Sequence, residues 1–65
     1  MTMKFIANRK YWSSDGFEMF VVGRFDRTGL LRCEIGLGLP VNYKIRTDPF
    51  GREFITAKGR EYWAS

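Results

Sequence analysis

Basic and aromatic side chains alternate with apolar ones along two segments of the chain, and this pattern could support binding chemistry. Guanidinium and ammonium groups neutralise phosphates, while aromatic rings stack on unpaired bases. Cations and rings that share one face of a sheet are therefore typical of a surface that binds nucleic acid. The candidate residues for such a surface are Phe20, Arg24, Arg32, Lys44, Arg46 and Phe54.

Two turn sequences indicate how the chain positions these residues. Residues 26–29 (DRTG) and 48–51 (DPFG) both begin with Asp and end with Gly. This composition favours a three-residue hairpin loop in which the glycine takes the left-handed conformation. The prediction is that Asp26 pairs with Leu30 in the first hairpin and that Asp48 pairs with Arg52 in the second.

The predicted register gives each hairpin one apolar face, which we expect to be buried. A shift by one residue would expose the whole apolar set, so the hydrophobic pattern favours this register. In the first hairpin the face consists of Met19, Val21, Gly23 and Phe25, which lie opposite Leu37, Ile35, Cys33 and Leu31 in that order. In the second hairpin Ile45 faces Ile55, and Tyr43 faces Ala57.

The other face of the same hairpins carries the charged and aromatic candidates. Like charges directly opposed cost free energy in a sheet, and an anion between Arg24 and Arg32 would offset that cost. Alternatively, this face is an ordinary solvated surface, on which glutamates pair with the arginines and the N-terminal strand or the tail covers the rings. The predicted pairs on this face are Arg24 with Arg32, Phe20 with Gly36, Arg46 with Phe54, and Lys44 with Thr56.

Turn signals recur at short intervals, which is typical of an all-β barrel or sandwich. We expect a single domain over residues 1–65, built as a small five-stranded meander of the SH3-like or OB-like barrel type. The first strand is expected near residues 4–12, and the tail, residues 58–65, is expected to add a helical turn or a last strand. The alternative architecture is a three-stranded sheet with a short C-terminal helix. Residues 36–40 (GLGLP) are expected to form a crossover with its leucines turned inward.

The composition excludes several kinds of site. The chain of 65 residues has one cysteine and no histidine, so it can form neither an internal disulfide nor a Cys/His zinc site. Cys33 falls on the predicted apolar face, where cysteine behaves as a small hydrophobe, and there is no histidine to activate it. The acidic residues suggest no acid–base pair. We therefore expect no enzyme activity, no cofactor and no metal.

Charge and hydropathy narrow the choice of partner. Eleven Lys and Arg against seven Asp and Glu give a net charge of +4, which permits an anionic partner. The chain has one thiol, and residues 1–10 contain no apolar signal segment. It also lacks any run of ~18 apolar residues. These features predict a cytoplasmic protein without a membrane partner. The first hypothesis is therefore a non-enzymatic module that binds DNA or RNA.

A small protein-binding inhibitor or adaptor is the alternative function, and phage-type host-modulating proteins are examples of that class. Such a protein would act through exposed aromatics and a free sheet edge. Phe50 lies at the tip of the second predicted turn. It either folds back onto the core or anchors a protein partner.

Overall fold

The computed structural model describes residues 3–64, which form an all-β fold of two antiparallel sheets. These residues form no helix, and so none that is long and apolar enough to cross a membrane. The all-β prediction is confirmed, but the seven strands are divided between two sheets instead of closing into one five-stranded barrel. The first sheet contains β1 (Lys10–Trp12), β2 (Glu18–Phe25), β3 (Leu30–Ile35) and β4 (Val41–Lys44). The second sheet contains β5 (Arg46–Thr47), β6 (Glu53–Ala57) and β7 (Arg60–Trp63).

The turn between β2 and β3 is one residue longer than predicted. Phe25 pairs with Leu30, and the Phe25 carbonyl accepts hydrogen bonds from the backbone N–H groups of Thr28 (3.2 Å) and Gly29 (2.8 Å). Gly29 has the expected positive φ, 71°. A left-handed glycine can end a four-residue loop as well as a three-residue loop, so the predicted pairing of Asp26 with Leu30 is wrong.

A β-bulge at Val22 exchanges the two faces of β2 between the bulge and the turn. Val21 pairs with Cys33 but Gly23 pairs with Arg32, which leaves Val22 without a partner. An extra residue reverses the inward and outward alternation of its own strand. Arg24 consequently points to the core side, across from Leu31, and Phe25 points outward. The predicted pairing of Arg24 with Arg32 and the predicted burial of Phe25 are both wrong.

The buried face predicted for the rest of the first hairpin is correct in composition. Met19, Val21, Cys33 and Ile35 are all buried. Their pairing is displaced by two residues, so that Met19 lies opposite Ile35 and Phe20 opposite Glu34. A displacement of two preserves the face. Leu37, which was expected opposite Met19, is fully exposed, and Leu39 is mostly exposed. The expectation that the leucines of residues 36–40 turn inward is therefore wrong.

The second hairpin has the predicted turn but ends sooner than predicted. The Asp48 N–H donates to the Arg52 carbonyl at 2.9 Å, Gly51 has a φ of 87°, and Arg46 pairs with Phe54. The chain then passes from one sheet to the other at Ile45. The expected pairs of Tyr43 with Ala57 and of Lys44 with Thr56 are wrong, because Tyr43 pairs with Leu31 and Lys44 with Leu30.

Both ends of the described chain extend the fold. The first strand is shorter than expected, because a turn at Ala7 and Asn8 precedes β1. The tail forms β7, which confirms the last-strand alternative, while Ser65 lies outside the described residues. Lys58 and Gly59 join β6 to β7 with φ values of 53° and 76°, as in the two-residue type I′ turn favoured in hairpins.

The core lies between the two sheets. Its largest fully buried side chains include Tyr62 and Ile55 from the second sheet and Met19 and Leu31 from the first. Phe5, which precedes β1, belongs to the same core and meets Tyr11 edge-on, with ring centroids 4.9 Å apart. This core covers one face of each sheet and leaves the opposite faces to carry polar and exposed aromatic residues.

Candidate functional site

The face of the first sheet that points away from the core carries exposed rings and cations. Directly paired residues of antiparallel strands lie on the same face, so the register defines this surface. We call it the outer face. Its residues are Lys10, Trp12, Glu18, Phe20, Gly23, Phe25, Leu30, Arg32, Glu34, Asn42 and Lys44.

Three aromatic rings lie on the outer face. Trp12 is 54% exposed, Phe25 is 45% exposed, and Phe20 is half-buried. Within the described part of the chain, these three rings stack on no other ring and make no cation–π contact with a guanidinium group. A Cβ atom on Gly23 would lie 3.7 Å from the Phe25 ring, so this ring lies over the glycine. The outer face therefore offers rings to a partner.

The cations of the outer face are only partly neutralised. Lys10 Nζ lies 3.7 Å from a carboxylate oxygen of Glu18. Among residues 3–64, neither Arg32 nor Lys44 has a carboxylate within salt-bridge distance. Both are free to meet an anion that approaches this face.

The structure separates the six residues predicted to form one surface. Phe20, Arg32 and Lys44 lie on the outer face of the first sheet. Arg46 and Phe54 lie on the second sheet, where they pair across β5 and β6. Arg24 lies on the core side of β2, so its predicted position on an outward surface is wrong.

The second sheet has its own group of cations and rings, which we call the Arg–aromatic ladder. It consists of Arg46, Phe54, Trp63 and Arg52. The rings of Phe54 and Trp63 stack with centroids 4.4 Å apart. The Arg46 guanidinium carbon lies 5.6 Å from the Phe54 centroid, and that of Arg52 lies 4.9 Å from the Trp63 centroid. These rings already contact one another and two cations, so they are less available to a partner than Trp12 or Phe25.

Arg24 forms an ion pair with the buried Glu53 on β6. Its Nη1 and Nη2 donate to the two carboxylate oxygens at 2.5 and 2.7 Å, and its Nε donates to Asp26 at 2.6 Å. The Arg24 guanidinium holds the pKa of Glu53 below its ordinary value, although burial opposes that shift. The Glu53 carboxylate in turn raises the pKa of Arg24. Glu53 also accepts the backbone N–H of Phe5 at 2.9 Å, so this group joins both sheets to the N-terminal segment.

A pocket lies where the outer face meets the turn between β6 and β7. Its volume is about 460 Å³, and its wall includes Phe17, Phe20, Glu34, Lys58 and Arg60. This volume is in the range of small-molecule sites. Three residues of the outer face, Glu18, Phe20 and Glu34, belong to the pocket wall as well, so the pocket is continuous with that face.

One wall of the pocket is held in place by local contacts. The Arg60 guanidinium carbon lies 3.6 Å from the Phe17 ring centroid, and Arg60 Nε donates to Asp15 at 2.9 Å. Asp15 also accepts the Ser13 hydroxyl at 2.5 Å. Hydrogen bonds from Ser13 and Arg60 hold the pKa of Asp15 below its ordinary value. Tyr62, which also lines the pocket, has a buried hydroxyl without a hydrogen-bond partner in the described residues.

Apolar side chains are exposed at two loops. Leu37 and Leu39 between β3 and β4 are 108% and 86% exposed, and Phe50 in the turn between β5 and β6 is 85% exposed. Of the two alternatives for Phe50, folding back onto the core is therefore wrong. These side chains form apolar tips outside the outer face.

The thiol and the acidic side chains of the described residues bear on nucleophilic and metal-binding chemistry. Cys33 is buried, and burial raises the pKa of its thiol to about 12, so it is a poor nucleophile near neutral pH. Within residues 3–64, no group of His, Cys, Asp and Glu is arranged to hold a metal ion.

Sequence reasoning missed Trp12, Phe25, Trp63, Arg52 and the pocket. Lys58 and Gly59 would have indicated the β6–β7 hairpin, since Gly follows a residue that can also take positive φ. That hairpin pairs Trp63 with Phe54. No local pattern indicated the bulge that turns Phe25 outward.

Comparison of the chain with protein families, with curated proteins and with solved structures found no match.

Proposed function

We propose that this chain is a non-enzymatic module that binds single-stranded nucleic acid through the outer face of its four-stranded sheet. The observation that carries the proposal is the presence of three accessible rings and three cations on one sheet face. The rings are Trp12, Phe20 and Phe25, and the cations are Lys10, Arg32 and Lys44.

Each component of the outer face has a defined role in this proposal. A base stacked on an aromatic side chain contributes ~1–3 kcal/mol, and the contribution depends little on base identity. Lysine and arginine neutralise phosphates and release counterions. Bases are available for stacking only when the strand is unpaired, so the geometry favours a single strand over a duplex.

The proposal changes the residue set that the sequence indicated. Phe20, Arg32 and Lys44 remain in it. Arg24 leaves it, because its guanidinium is held by Glu53 and Asp26. The ladder residues Arg46 and Phe54 lie on the other sheet and become the comparison set for the experiment.

We also infer that the two sheets form an open relative of the SH3-like or OB-like barrel, since the chain passes from one sheet to the other at Ile45 and both sheets share one core. The lone cysteine is a free thiol, and we infer from it that the protein is cytoplasmic.

Fluorescence anisotropy with a labelled oligothymidine of about nine nucleotides tests the proposal. With one phosphate per outer-face cation, affinity should fall about twentyfold between about 50 and 200 mM salt, at ~0.7 log units per contact. Phe25→Ala should weaken binding about tenfold or more. Phe50→Ala is its matched control, because it removes an exposed ring away from the outer face, and it should leave binding unchanged.

A charge-matched pair completes the experiment. Arg32→Gln and Arg46→Gln remove the same charge from different sheets. Only Arg32→Gln should reduce the salt slope, by ~0.7. Equal effects of the two variants would show that net charge, and not the outer face, drives binding. No binding of wild-type protein at about 50 mM salt would refute the proposed function.

A protein partner is the second candidate function, and the exposed tips favour it. Leu37, Leu39 and Phe50 are more than four-fifths exposed, and such side chains are used at protein interfaces more than on phosphate-binding surfaces. A partner that is captured by wild-type protein from nuclease-treated lysate at high salt, and lost with Phe50→Ala, would support this candidate. Capture that nuclease abolishes would favour nucleic acid.

A further inference from the structure

The pocket at the end of the outer face combines three features that nucleic-acid backbone binding does not require. It has a volume of about 460 Å³, it carries both carboxylate and cationic side chains, and its wall includes the unpartnered hydroxyl-bearing Tyr62. A surface that binds only phosphates has no use for a concave site with a carboxylate. These features indicate recognition of a compact group with hydrogen-bond donors.

The charges of the pocket restrict its ligand. The wall carries two cations, Lys58 and Arg60, and of these only Arg60 has a carboxylate within salt-bridge distance in residues 3–64. The wall also carries two carboxylates. Glu18 lies 3.7 Å from Lys10 Nζ, whereas Glu34 has no cation within salt-bridge distance among residues 3–64. A ligand with an anionic part beside Lys58 and a neutral donor edge beside Glu34 satisfies both.

The rings of the pocket indicate a planar ligand. Phe17 is about half exposed and Phe20 is half-buried. Arg60 lies against the ring of Phe17, which fixes that wall. Phe20 is shared with the outer face, so a strand that runs along the outer face can turn one base into the pocket without leaving the surface.

We propose that the pocket binds one guanine base of the strand held on the outer face, with Glu34 accepting hydrogen bonds from the base and Lys58 contacting its phosphate. This inference rests on the proposed function. An ionised carboxylate only accepts hydrogen bonds. Guanine presents two adjacent N–H donors, at N1 and N2, which match the two oxygens of a carboxylate. Thymine and uracil present one N–H between two carbonyl oxygens, and a carboxylate repels those oxygens.

Three oligothymidines test the inference by anisotropy, each of about nine nucleotides, with thymine, guanine or hypoxanthine at the centre. The central guanine should raise affinity about tenfold over thymine, as expected of a good bidentate contact. Hypoxanthine lacks the N2 amine and should lose most of that gain. This comparison uses the wild-type protein alone, so it does not depend on the folding of any variant.

Glu34→Gln, with Glu61→Gln as its control, locates the recognition. Glu61 is an exposed glutamate on β7, outside the pocket wall. Glu34→Gln should abolish the guanine preference, so that the guanine and thymine oligomers bind equally tightly, while Glu61→Gln should keep that preference. Equal affinities for the three oligomers would overturn the pocket inference and leave the proposed function standing. No binding of any oligomer would refute both, and a protein partner that competes through the pocket would overturn the guanine assignment.

Discussion

The carboxylate of Glu53 on β6 and the guanidinium of Arg24 on β2 form a bidentate ion pair that links the two sheets. The N–O distances are 2.5 and 2.7 Å. The Glu53 side chain is 8% exposed and that of Arg24 is 19% exposed. Glu53 also receives the Phe5 N–H, and Arg24 Nη1 donates to the Phe5 carbonyl at 3.2 Å. The two charged side chains thus bond to each other and also satisfy the hydrogen-bonding backbone groups of Phe5 in the N-terminal segment.

Arg24→Met should destabilise the fold severely. Removing one partner of a buried ion pair leaves an uncompensated charge, at a cost of about 3 kcal/mol or more, which is a large share of the stability of a small domain. Urea unfolding followed by tryptophan fluorescence gives the free energy of unfolding. Arg27→Met is the matched control, since Arg27 is exposed in the β2–β3 turn, and it should change stability by less than about 0.5 kcal/mol. Equal stabilities of the two variants would contradict a structural role for the pair.

Acid should weaken the fold through Glu53. Its pKa is lower in the folded chain than its ordinary value of 4.5, so its contribution to stability is fully present above that value. The contribution is lost as pH falls through the lowered folded pKa. Wild-type protein should lose stability as the pH falls below about 4.5. Glu53→Gln should be less stable at neutral pH but lose less on acidification, and parallel pH profiles would show that other carboxylates dominate.

Local sequence signals were sufficient for much of the fold. Residues 48–51 specified the second turn, because Asp48 accepts the N–H groups of Phe50 and Arg52 at 2.9 and 2.8 Å. These contacts lie within five consecutive residues, so the sequence alone encodes them. The alternation of apolar residues likewise identified the buried residues of β3, which contains no bulge.

The positions of Arg24 and Phe25 could not be read from the same signals. Both positions depend on the bulge at Val22. The residue before the bulge, Val21, accepts a hydrogen bond from the distant Asn8 N–H at 2.7 Å. Arg24 then meets Glu53 across 29 residues of sequence. Neither contact has a local pattern. A face exchanged by one extra residue was enough to divide the predicted binding surface.

Gly29→Val should destabilise the first hairpin. Gly29 has a φ of 71°, and nothing lies within 4 Å of a Cβ atom built there. The cost is therefore one of backbone conformation rather than of space, about 1–2 kcal/mol for a β-branched residue. Gly29→Asn is the matched control, because asparagine tolerates the left-handed conformation, and it should recover most of the loss. Thermal melts of both variants decide this, and equal losses would point to a steric cause instead.

Cys33 should be unreactive in the folded protein. The residue is 1% exposed, and burial raises the pKa of its thiol from 9.0 to about 12. The thiolate is the reactive form, so almost none is present near pH 8, and the reagent cannot reach the sulfur without opening of the core. A chromogenic disulfide reagent should label Cys33 at once in denaturant but only at the rate of core opening in buffer. Destabilisation by Arg24→Met should accelerate labelling in buffer, whereas Arg27→Met should not. Rapid labelling of wild-type protein would contradict the burial of the core-facing side chains of β3.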